Sequence, residues 1–274
     1  MSDPITARRA PVPPRTRAAR PWIVAAVTIC VVVAVHVMAW IKTDFSFGAL
    51  IGGWDGIVSF VSETIPPDLA WDAVVRPGIE ACLVTLSIGL LGTTLSIPFS
   101  LLFAVLGART TSPGSTVYQV SRAVMSFFRA VPDVVFALIF VTAVGLGPFA
   151  GVLALVCHNT GVMGKLWSEA MEEIDPGPVE ALRVAGARND QVAANVVLPA
   201  ALPQFVGLLL YRFDVNVRSS LVLGLVGAGG VGFLINQSIQ LFRFDEMLTY
   251  ILLVLALIVA VDLLSSAVRR RLQV

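Results

Sequence analysis

Residues 168–199 read SEAMEEIDPGPVEALRVAGARNDQVAANVVLP. This stretch decides the fold, because it sets Glu169, Glu172, Glu173, Asp175, Glu180, Arg183, Arg188 and Asp190 between two strongly apolar runs, 148–167 and 200–226. Asp175 followed by Pro176, or Pro178 itself, supplies a helix start. A short helix is therefore expected to begin near 176–179 and to end around Gly186. A polar helix between two membrane-crossing runs has nothing to bind in lipid, so it must dock on something in water.

Outward from that stretch the chain is apolar. A bilayer is crossed by about 20 consecutive apolar residues, and six runs qualify: 22–41, 79–106, 124–145, 148–167, 200–226 and 247–267. Pro132 inside the third predicts a kink. Of the 274 residues 57% are hydrophobic and 14% charged, with a mean hydropathy of +0.85. Soluble domains carry about 25% charged residues, so lipid must solvate much of this surface. The fold class is an all-α integral membrane protein of about six transmembrane helices.

Lys and Arg placement orients it. Arg8, Arg9, Arg15, Arg17 and Arg20 precede the first run, and Arg269, Arg270 and Arg271 end the chain. The segment 42–78 instead carries Asp44, Asp55, Glu63, Asp68 and Asp72 against Lys42 and Arg76. Both termini are expected in the cytoplasm. Residues 1–20 read as a disordered tail, 21–78 as a first span followed by an external amphipathic segment (Ile51, Trp54, Ile57, Val58, Val61), and 79–274 as the core, with 168–199 facing inward. The first run is longer than a signal-peptide core and lacks a small-x-small cleavage site, so it is expected to be retained.

Several function classes are excluded. A net charge of +1 argues against a nucleic-acid partner, and Cys30, Cys82 and Cys157 each sit in an apolar run without disulfide or metal spacing. Gly227–Gly232 satisfies G-x-G-x-x-G, but it follows a spanning helix rather than a strand. It is expected to be a close-packed turn at the outer surface. No nucleophile–base pair, metal cluster or P-loop is present, so no catalytic residue and no bound cofactor is expected.

Glu180-Ala181-Leu182, then Gly186, then Val196-x-Leu198-Pro199 resembles the cytoplasmic signature of ABC importer permeases: E-A-A, three residues, G, nine residues, I-x-L-P. Leu182 and Val196 stand for the second Ala and the Ile. Phe128-Arg129-Ala130-Val131-Pro132-Asp133, His158-Asn159-x-Gly161, Leu210-Tyr211-Arg212-Phe213-Asp214-x-Asn216-x-Arg218 and the glycine-rich 223–232 resemble the phosphonate-uptake permeases, from about Glu80 to the C-terminus. The resemblance implies a type I ABC importer permease fold in a bacterial plasma membrane, with a cytoplasmic coupling helix. It implies a dimer of identical or paralogous permeases, two ATP-binding subunits that hold the ATP and Mg, an external binding protein, and a phosphonate, phosphate or phosphite cargo. Glu180, Ala181, Gly186, Leu198 and Pro199 would couple to the ATPase. The small residues would let the helix enter a groove there, with Glu180 favoured near the helix N-terminus.

The residues add their own argument. Arg212, Asp214 and Arg218 lie in an apolar run, where a charge costs about 2.5–3.5 kcal/mol or more. Asp214 and Arg218 are spaced to pair, as are Arg212 and Asn216. One Arg is then left without a local carboxylate, and a guanidinium fork suits an oxyanion. Arg212, Asn216, Arg218, His158 and Arg129 are the candidate path residues, with Asp214 and Asp133 as their structural partners. Packing alone would serve the same residues, so that alternative stands beside the first. Other expectations are the same architecture carrying methionine or another small nutrient, and an intramembrane lipid-phosphate enzyme. The latter needs paired carboxylates or a His–Asp constellation at one interface, which the sequence does not show.

Overall fold

The computed structural model describes residues 21–272, and every regular element in that range is helical. The expected tail, 1–20, lies outside the described residues. Contacts divide the chain at Val58–Ser59. In the first part, α1 (Pro21–Lys42) is apolar on every side, as a lipid-solvated helix must be. α2 (Phe47–Gly52) begins under the Ser46 hydroxyl, which accepts from the Ala49 N–H at 3.2 Å. α3 (Trp54–Thr64), within which the division falls, covers much of the expected amphipathic segment.

The second part is a bundle. A wide helical turn at Trp71–Val75 leads into α4 (Arg76–Gly107), followed by α5 (Ser115–Ala130), α6 (Asp133–Val144), α7 (Pro148–Glu172) and the short α8 (Pro176–Val184). α9 (Asn189–Val192) runs through a second wide turn into α10 (Leu198–Leu223), and α11 (Val231–Gln240) and α12 (Phe244–Leu272) close the chain. Five stretches are long and apolar enough to cross a bilayer, or six if α5 and α6 together form one span.

α7 is the centre, packed against α4, α5, α6 and α10. Small residues make that possible. α4 buries Gly89, Thr93, Ser96, Ser100, Ala104 and Gly107 along one side, the pattern by which membrane helices approach closely. A Cβ on Gly92 would lie 2.6 Å from the Leu155 side chain, and one on Gly89 would lie 2.8 Å from Val217. These two glycines let α4 meet α7 and α10.

One expectation needs correction. The third span is not a kinked helix but two helices set at 84°, broken at Val131–Pro132. Proline supplies no N–H to the Phe128 carbonyl and its ring opposes continuation. The glycine-rich turn is close-packed, as expected: Gly224 and Gly227 are buried, and a Cβ on Gly229 would lie 3.0 Å from Pro148 at the start of α7. There the Val231 N–H donates to the buried Thr85 Oγ1 of α4 at 2.9 Å. Gly227, Gly229 and Gly230 take positive φ of 97°, 75° and 72°, which only glycine adopts freely.

Candidate functional site

The polar centre lies where α4, α7 and α10 meet. Arg212 is 8% exposed, and Asn159 and Asn216 are fully buried. Arg212 donates to Asn159 Oδ1 through Nε at 3.2 Å and Nη2 at 2.6 Å, and to Asn216 Oδ1 through Nη2 at 3.4 Å. Asn216 Nδ2 then donates to Thr93 Oγ1 at 2.7 Å, and the Thr93 hydroxyl donates to the Gly89 carbonyl at 2.7 Å. A buried guanidinium needs acceptors for its fixed donors. Here the acceptors are neutral amides.

Arg218, one and a half turns further along α10, is held differently. Its Nη2 lies 2.7 Å from Asp214 Oδ2 and 4.0 Å from Asp262 Oδ1 of α12. The expected Asp214–Arg218 pair is thus present, joined by a carboxylate that the sequence reading passed over. Asp262 was visible as the one charged residue within 247–267.

The α5–α6 break abuts this centre. His158 Nδ1 lies 3.1 Å from the Val131 carbonyl, one of the backbone acceptors that the break removes from helical pairing. Such a group needs a partner at membrane depth. Gly161, next on the same side of α7, lets the end of α5 sit against it, since a Cβ there would lie 2.6 Å from Arg129 N and 2.7 Å from Met125 O. One short stretch of α7 therefore braces the break with His158, holds Arg212 with Asn159 and admits α5 at Gly161. Arg129 and Asp133, expected as a pair four residues apart, form no ion pair among the described residues. The break destroys the helical register that would align them, leaving Arg129 exposed and Asp133 Oδ1 accepting from the Val134 N–H at 2.9 Å.

At the opposite end of α7, α8 follows a short turn. Asp175 caps it by accepting from the Gly177 N–H at 2.9 Å. Gly186, with φ +85°, closes it, and the Ala187 N–H returns to the Leu182 carbonyl at 3.0 Å. That is a left-handed C-terminal cap, and the Gly186 Cβ position meets no atom within 4 Å. Within this chain, then, Gly186 is required by its backbone rather than by crowding. Val179 and Leu182 pack inward, while Glu180, Ala181, Val184 and Ala185 face out, as does Pro199; Leu198 is half-buried.

A polar clamp secures this end. Glu172 accepts from Arg122 Nη2 at 3.1 Å and from the Arg109 N–H at 2.8 Å, and Arg183 donates to the Thr110 carbonyl at 3.1 Å. The Tyr118 hydroxyl, accepting from Arg109 Nε at 3.2 Å, raises the Arg109 pKa above its ordinary value. The sequence reading missed Glu172 and Thr93 as partners, since both join helices far apart in the chain.

Residues 96–274 match the family described as binding-protein-dependent transport system inner membrane component. The chain belongs to that family. Its fold agrees with a chain of the MetNI methionine ABC transporter solved in inward-facing conformations, with a TM-score of 0.58 and 26% identity over 73% of this chain and 95% of that one. A bacterial alginate ABC importer, 16% identical with a TM-score of 0.58 over 85% of this chain and 96% of that one, shares the fold alone. The architecture is that of a type I ABC importer permease. Among curated relatives, the phosphite transport system permease protein PtxC of Stutzerimonas stutzeri is 39% identical over 81% of this chain and 79% of its own length. The phosphate-import permease protein PhnE of Mycolicibacterium smegmatis is 41% identical over 86% of this chain but 44% of its own length. A probable D-methionine transport system permease of Vibrio cholerae is more distant, 26% identical over 67% of this chain and 84% of its own length. The permease is thus a transport subunit of the inner membrane rather than an enzyme.

Proposed function

We propose that this permease passes a phosphorus oxyanion (phosphate, phosphite or a phosphonate) delivered by an external binding protein and driven by two cytoplasmic ATP-binding subunits. The observation that carries the reading is the 39% identity, along most of both chains, to a relative named for phosphite transport. The buried, amide-held Arg212 agrees with it, because a positive charge in the membrane favours an anionic cargo. ATP and Mg belong to the partner subunits. α8 is their docking element, offering an exposed Ala181–Val184–Ala185 surface. A second permease subunit completes the path, and both termini lie in the cytoplasm of a bacterium, following the basic ends of the chain.

The test reconstitutes the permease with its ATPase and binding protein in proteoliposomes. ATP-driven uptake of at least one of labelled phosphate, phosphite and methylphosphonate is expected, and none of methionine. Methionine uptake without any of the three anions would overturn the reading.

A further inference from the structure

Arg212 and Arg218 lie on one helix, yet only one keeps a free charge. Arg218 faces Asp214 and Asp262, so that cluster holds one positive and two negative groups and has no net pull on an anion. Arg212 is surrounded by the amide oxygens of Asn159 and Asn216, which orient the guanidinium without neutralising it. Arg212 makes no ion pair among the described residues.

The bonding of Arg212 is also incomplete. Nε and Nη2 are committed, whereas Nη1, with two N–H donors, makes no hydrogen bond among the described residues. The sealed side-chain polar atoms without a partner are Trp167 Nε1 and Asp214 Oδ1. Nη1 is not one of them, so it keeps some accessible surface. The α5–α6 break, where His158 holds the Val131 carbonyl at 3.1 Å, adjoins the stretch of α7 that carries Asn159, the partner of Arg212.

We propose that Arg212 is the anion-selecting residue of the translocation path: Asn159 and Asn216 fix its orientation, and Nη1 meets the oxygens of the passing phosphorus oxyanion. This rests on the substrate reading above. A single guanidinium with one free edge gives a transient site, as suits a path that must also release its cargo. Arg218 is a packing residue by the same reasoning.

Asn216→Asp tests the charge directly. The change keeps the side chain's size, and the Thr93 hydroxyl can turn to donate to the new carboxylate, so the tie to Arg212 persists while its charge is neutralised. In the complex with ATPase and binding protein, uptake of labelled phosphate, phosphite or methylphosphonate should fall at least tenfold. Complex yield and binding-protein-stimulated ATP hydrolysis should stay within about twofold. Arg212→Lys, which keeps the charge but not the fork, should fall less than Asn216→Asp. Wild-type uptake by assembled Asn216→Asp overturns the proposal, as does failure of both variants to assemble, which would leave the network a packing role only. If wild-type complex imports none of the three anions, it is the substrate reading that fails.

Discussion

The α7–α10 interior and the α8 protrusion are both built on polar residues and glycines, but they use them in opposite ways. In the interior, Asn159, Asn216 and Thr93 point inward to one another and to Arg212, and glycines give up space to neighbouring backbone. In α8, Glu180 and Arg183 face out, Val184 is 90% exposed, and Gly186 yields a backbone angle rather than space. One region is organised to fix a geometry and the other to offer a surface. Substitutions at the close-packed glycines of the first should act through stability, and those on the exposed face of the second through communication with a partner.

The largest effect should come from Gly161→Ala. The added methyl group would meet backbone atoms of Arg129 and Met125 at 2.6 and 2.7 Å, and backbone cannot rotate away as a side chain can. Overpacking of this kind costs about 2–3 kcal/mol. Denaturation of the purified permease in detergent should show that loss together with reduced complex yield. Unchanged stability would mean that α5 does not rest on α7 as described, and the contrast between the two regions would lose its interior half.

This contrast also marks how far the sequence could be read. Spans and the α8 helix were legible because lipid demands long apolar runs and because Asp175, Pro176 and Gly186 are local signals. The Asp214–Arg218 pair was legible for the same reason, being four apart on one helix. So was the tie of Arg212 to Asn216, at the same spacing, but not its tie to Asn159, since Asn159 and Arg212 meet only when α7 packs on α10. The break at Pro132 was read as a kink, because a proline announces a lost hydrogen bond but not the 84° that follows. The residues that meet the break, Gly161 and His158, sit on another helix. Gly186 was legible as the end of α8 and as a small residue, but not as a position held at φ +85°, which composition does not display.

A middle-sized effect is expected for Gly186→Ala. The Cβ position is open, so no clash arises, but holding an L-residue at φ +85° costs about 1–2 kcal/mol. The permease should still assemble, with helix α8 frayed at its end. Thermal unfolding should register a modest loss, and Gly186→Asn, which tolerates the left-handed region better, should recover part of it. Equal losses for Ala and Asn would point instead to the partner-facing surface as the reason for glycine.

The smallest effect on stability, and the sharpest separation of the two regions, should come from Val184→Asp. Val184 is 90% exposed, and surface changes of this type usually alter stability by no more than about 0.5 kcal/mol. On the reading that α8 docks in an apolar groove of the ATPase, an unpaired carboxylate at its outward tip would have to be desolvated on docking. ATP hydrolysis stimulated by the loaded binding protein should then fall about tenfold while the permease itself melts as the wild type does. The interior variant Gly161→Ala should show the reverse order, with lost stability first and lost coupling only in proportion to the protein that fails to assemble. If Val184→Asp hydrolyses ATP and transports normally in an assembled complex, the exposed apolar tip is not the docking surface, and the outward face at Glu180 and Ala181 becomes the place to look.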